Sequence, residues 1–137
     1  MLISIAVLCL VFALVASTAA PVHADNNLWP IEREIIAQTN AERAKYGLPP
    51  LEADQKLVES ARQQAYWMTN NRTLTHTSQA VGENIAMGQR TTAEAVRDWM
   101  NSSGHRANIL RSSYTKMGAG AFVAPDGTIY WCQQFLW

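Results

Sequence analysis

The hydrophobic pattern of this chain changes character twice, and each change marks a new kind of element. Leu2 to Val15 is an almost unbroken apolar run. After Trp29-Pro30, the residues Ile31, Ile35 and Gln38-Thr39 recur at helical spacing, with Pro30 suited to a first helical position. Gly47 followed by Pro49-Pro50 predicts the end of that helix. Asp54 predicts the cap of a second helix reaching about Met68, with Leu57, Ala61, Ala65 and Met68 as its buried stripe and Asn70-Asn71 at its close. Residues 69–91 are rich in Thr, Asn, Gln and Gly and read mostly as loop with short structured pieces. Thr91, with Glu94 three residues on, resembles a capping box and opens a third helix. That helix is expected to bury Val96, Trp99 and Met100 and to stop before Gly104.

The period then shortens. Met117 to Val123 and Thr128 to Phe135 are β-prone runs separated by Ala124-Pro125-Asp126-Gly127, a hairpin signal. Helices first and a hairpin last predict an α+β domain, with helices packed on an antiparallel sheet. No repeat, linker or low-complexity segment divides the chain, so one domain is expected.

The opening apolar run stands apart from this pattern. Ser17 to Ala20 turns small, and Val22-His23-Ala24 fits a small-x-small cleavage site, so residues 1–24 are expected to be a signal peptide and residues 25–137 the domain. No Lys or Arg precedes the run, and Leu2 to Ala20 is nearly long enough to span a bilayer, which makes a retained anchor the competing reading. The cleavage site favours removal, which predicts a secreted protein with no stable membrane association afterwards. Cys9 lies inside the run behind Leu8 and does not fit a lipidation site.

Charge narrows the partners. The chain carries 11 basic and 11 acidic residues, with none of them in the leader. A balanced domain with scattered arginines is not built to track a nucleic-acid backbone or an anionic membrane. Once Cys9 leaves, Cys132 is the one cysteine of residues 25–137, so no internal disulfide can form. Its apolar surroundings predict a small buried hydrophobe, not a nucleophile.

Candidate chemistry gathers in two segments, Gly82-Glu83-Asn84-Ile85-Ala86 and Gly104-His105-Arg106-Ala107-Asn108-Ile109-Leu110. Each sets a titratable side chain beside a glycine and ahead of apolar residues. With His76 they supply two imidazoles and a carboxylate, enough for acid/base work or a weak metal site. A hydrolase triad can be drawn with Ser102 or Ser103 as nucleophile and His105 as base. A water-activating His76 or His105 steadied by Glu83 is another arrangement. Asp98 shares a helix face with Ser102 and reads as a solvated carboxylate. Arg106 either pairs with an acid beneath the cleft or stays solvated, and Asn84 and Asn108 read as residues that bond local backbone turns.

Taken together, these segments resemble the CAP superfamily, the cysteine-rich secretory, antigen 5 and pathogenesis-related 1 domain also called SCP. The resemblance runs through Asn40-Ala41-Glu42-Arg43, Gly47-Leu48-Pro49-Pro50-Leu51 and Ala61 to Met68. It continues through Thr75-His76-Thr77, Gly82-Glu83-Asn84-Ile85-Ala86 and the stretch from Trp99 to Leu110, closing with Gly118-Ala119-Gly120 and Tyr130 to Phe135. It is nearest to the bacterial subgroup without disulfides. It implies an α-β-α sandwich, secretion, core positions for Trp67, Trp99 and Trp131, and a cleft lined by two histidines and two acids. The histidines map to His76 and His105 and the first acid to Glu83. Ser102 stands where eukaryotic members carry the second acid, and Ser103 where the bacterial subgroup has Pro.

The function this implies is a monomeric domain whose cleft binds an extracellular peptide, lipid or cell-wall fragment. His76 and His105 would hold a divalent metal such as zinc. The alternatives are a peptide or cell-wall hydrolase using His76, Glu83 and His105 as catalytic residues, and a non-catalytic scaffold that binds a protein partner.

Overall fold

A computed structural model describes residues 27–137; the leader assigned to residues 1–24 lies outside the described residues. The first helix, α1 (Pro30–Lys45), begins at the predicted proline. Its buried stripe is only partly apolar, because Glu32, Thr39 and Arg43 lie inward beside Ile35 and Ile36. A buried carboxylate must be paired. Glu32 accepts from Arg62 Nε at 2.5 Å and Arg62 Nη2 at 2.7 Å, and from the Trp29 backbone N–H at 2.7 Å.

A two-residue strand, β1 (Glu52–Ala53), leads into α2 (Gln55–Asn71). Asp54 caps α2 by accepting from Leu57 N–H at 3.0 Å. The helix runs a turn past Met68 and closes at Arg72, whose φ of +52° is left-handed. Leu57, Ala61, Ala65 and Met68 are buried as the pattern predicts. Trp67 is not in the core: it is 47% exposed, because it points off the stripe that faces the sheet. Trp99 and Trp131 are buried.

Two elements add to the predicted helices and hairpin. Strand β2 (Gly82–Met87) forms within residues 69–91. Helix α3 (Thr92–Met100), capped by Thr91 on Glu94 N–H at 3.2 Å, is followed by a further helix, α4 (Ser103–Ile109). Gly104 therefore sits inside a helix and does not end α3. Ser102, extended at φ −108° and ψ 121°, makes the break. Ile109 is the buried residue of α4, so no apolar periodicity announced the helix.

Strands β3 (Lys116–Val123) and β4 (Ile129–Leu136) form the expected hairpin, with Gly127 at φ +86° in its turn. The sheet order is β1-β3-β4-β2, with β1 parallel to β3 and the other pairs antiparallel. Helix α2 covers one face and α1, α3 and α4 the other, giving the α-β-α sandwich. The close approach of α2 requires glycine in β3. A Cβ at Gly118 would lie 2.1 Å from the Leu57 carbonyl carbon, and one at Gly120 2.7 Å from Arg62 N. This layering leaves β2 at a sheet edge, with Glu83 and Asn84 facing opposite layers.

Candidate functional site

Glu83 is the fixed point of the site. Its side chain is 4% exposed on β2 and turns toward the α2 side of the sheet. Oε1 accepts from Thr77 N–H at 2.9 Å and meets His76 Nδ1 at 2.8 Å. Oε2 accepts from Gln134 Nε2 at 2.9 Å and from the Cys132 thiol at 3.6 Å. A carboxylate has only lone pairs to offer, so the network assigns the proton of His76 to Nδ1. A neutral His76 then presents the Nε2 lone pair outward, and its side chain is 60% exposed.

His105 enters from the opposite layer, on α4, and is half-buried. Burial, and after it the charge of nearby His76, hold its imidazole below the ordinary histidine value. Glu83 thus holds His76 directly, while His105 is linked to the pair only through the influence of the His76 charge on its ring.

The remaining candidates take other roles. Among the described residues, neither Ser102 nor Ser103 is hydrogen-bonded to His105, so no nucleophile–base pair forms. Asp98 accepts from Gln89 Nε2 at 3.1 Å and from Arg97, and does not supply the missing acid. Among the described residues Arg106 pairs with no acid; it donates to Tyr46 Oη at 2.6 Å and stacks 5.2 Å from that ring. Asn84 and Asn108 bond across the fold, not within local turns. Asn84 donates to the His105 carbonyl at 3.0 Å, and Asn108 to the Glu83 carbonyl at 3.2 Å. Cys132 is free and fully buried, with its thiol pushed well up by burial and by Glu83, which disqualifies it as a nucleophile.

Sequence reasoning missed Thr77 and Gln134, the other donors to Glu83, and Gln133. Gln133-Gln134 carried a usable signal. Two amides in a strand that is otherwise apolar must find partners when both faces are covered.

The donor set for a metal is small. Glu83 spends both oxygens on protein donors, and the described residues contain no group of three or more His, Cys, Asp or Glu placed to hold an ion. The residues that would hold an ion are the imidazoles of His76 and His105, with its other positions left to solvent or ligand. Two surface clefts, of about 430 and 510 Å³, lie elsewhere. The first runs between α1 and α3 past Tyr46, Arg97 and Arg106, the second beside Asp54 and Lys116, and neither is lined by His76, Glu83 or His105. His76 itself lies at the surface. No helix of the described residues is long and apolar enough to cross a membrane.

A family model described as the cysteine-rich secretory protein family, CAP, matches residues 36–135. YkwD of Bacillus subtilis (strain 168) is 37% identical over an alignment of 137 positions that spans 88% of this chain and 51% of YkwD. The crystal structure of an extracellular SCP-domain protein from Bacillus anthracis superposes with a TM-score of 0.67 at 29% identity, covering 77% of this chain and 39% of that one. An outer surface protein of Borrelia burgdorferi shares the fold, with a TM-score of 0.69 at 23% identity over 75% of this chain and 89% of its own. The chain spans about half the length of YkwD and less of the Bacillus anthracis protein.

Proposed function

Since the chain belongs to the CAP family of cysteine-rich secretory proteins, we propose that it is a secreted binding domain. Its rim of His76, Glu83 and His105 takes an extracellular peptide, lipid or cell-wall fragment. The observation that carries this is the buried Glu83 carboxylate, which fixes the tautomer of a His76 side chain left 60% exposed. Polar groups held this way at an accessible edge are arranged to meet something outside the fold. The extracellular and outer-surface descriptions of the two bacterial neighbours favour the same compartment.

His76 Nε2 and the His105 ring would hold a divalent ion such as zinc, which would supply a Lewis-acidic contact for a ligand carbonyl, carboxylate or phosphate. Glu83 supports His76 from behind as a carboxylate–histidine partner. Calorimetric titration of zinc into the protein tests this beside the His76→Ala/His105→Ala double variant. One-site binding that disappears in the variant is the expected result. Binding unchanged by the double substitution would remove these ligands from the proposal.

A hydrolase is the second reading, favoured by the outward Nε2 lone pair of His76, which suits a general base. Peptide and peptidoglycan fragments incubated with the protein, with and without zinc, are expected to stay intact. Cleavage lost in the double variant would make the hydrolase the better account.

A further inference from the structure

A line of buried amides runs through the molecule from α4 to α1. Asn108 Nδ2 donates to Asn84 Oδ1 at 2.9 Å, and Asn84 Nδ2 donates to Gln133 Oε1 at 3.2 Å. Gln133 Nε2 donates to Thr39 Oγ1 at 2.6 Å, and the Thr39 hydroxyl donates to the Ile35 carbonyl at 2.8 Å. Every donor points the same way, from α4 through β2 and β4 into the core of α1. Asn84, Gln133 and Thr39 are each fully buried. The branch point is Asn84, whose amide nitrogen also donates to the His105 carbonyl at 3.0 Å.

Ordinary packing does not explain this branch. Helix α4 has seven residues and buries only Ile109, near its far end, where Arg43 also holds the Ile109 carbonyl at 2.8 Å. A helix that short has little stability of its own. Its histidine-bearing turn contributes no buried apolar side chain, so the amide bonds are what tie that turn to the sheet. The neighbouring residue on β2, Glu83, orients His76 on the opposite side of the strand.

We infer that Asn84, backed by Gln133 and Asn108, is the positioning residue of the histidine site. It grips the His105 backbone from within the sheet, so that consecutive residues of one strand, Glu83 and Asn84, set the two imidazoles from opposite faces. The inference rests on the proposal that His76 and His105 work as a pair. Asn is required at 84 because the position donates twice and accepts once, which no other side chain of that length does in neutral form.

Hydrogen exchange followed by mass spectrometry on the full chain, with zinc calorimetry as a second readout, tests this in Asn84→Ala and in Asn108→Ala. The Asn108 site is less buried and keeps the test alive if the first variant fails to fold. The expected result is exchange about tenfold faster in residues 103–110, unchanged exchange in residues 57–68, and zinc affinity about tenfold weaker, the scale of lost support behind a ligand. Unchanged exchange in residues 103–110, or equal acceleration everywhere, would reduce Asn84 to an ordinary core amide. Faster exchange in residues 103–110 with unaltered zinc affinity would equally overturn the positioning role. If the unmodified protein binds no zinc, the metal proposal fails by itself, and the exchange pattern still decides whether Asn84 holds the helix.

Discussion

His76 and Glu83 show how unevenly one site distributes its chemistry. Glu83 is sealed by four donors, while the His76 side chain it holds is 60% exposed. His105 carries a pH consequence. Its folded value lies below the ordinary 6.5, through burial first and the charge of His76 second. Between the folded and unfolded values the unfolded chain binds more protons, so stability rises with pH there and is lost as pH falls through the folded value. Thermal melts should therefore show a melting temperature that drops on acidification below about pH 6.5, and His105→Gln should flatten part of that drop. An unchanged slope in the variant would mean that His105 titrates alike in both states. The identities of His76, Glu83 and His105 were legible from their motif residues. The Glu83 grip on His76 was not, since positions 76 and 83 lie on a loop and a strand that meet only after folding.

Elements built from apolar stripes were foreseeable, and those built from polar ones were not. Helices α1, α2 and α3 and the β3–β4 hairpin followed from periodicity and caps. Strand β2 carries Glu83 and Asn84 side by side, so its buried faces look like loop, and α4 buries a single apolar residue. Spacing between elements gives a sharper test. Gly118 lets α2 sit directly on β3, and its added Cβ would strike backbone atoms that cannot rotate away. Gly118→Ala is expected to cost about 3 kcal/mol or more in denaturant unfolding, the upper range for overpacking. Gly104 has nothing within 4 Å of an added Cβ and stands inside α4. Gly104→Ala should instead stabilise by about 0.5–1 kcal/mol, the helix preference of alanine over glycine. Equal effects at the two positions would contradict the packing described for α2.

At the scale of the whole molecule, stability rests on two apolar layers without a disulfide, since Cys132 is buried and free. Protein recovered from a culture medium is expected to begin at Asp25 and to carry one thiol, with a melting temperature that reductant does not move. An N-terminus still at Met1 in the membrane fraction would favour the retained anchor. The sequence by itself determined the family and, through it, the α-β-α layering, and it singled out His76, Glu83 and His105 as candidates. Those follow from local periodicity, caps and short motifs, all of which act between near neighbours along the chain. Only the tertiary structure decided that Glu83 holds His76, that Asn84 holds the His105 turn, that Arg62 answers the buried Glu32, and that Trp67 faces solvent. Each of these depends on groups from separate elements satisfying one another where water is excluded, and polar partners across a core leave no periodic trace in the chain.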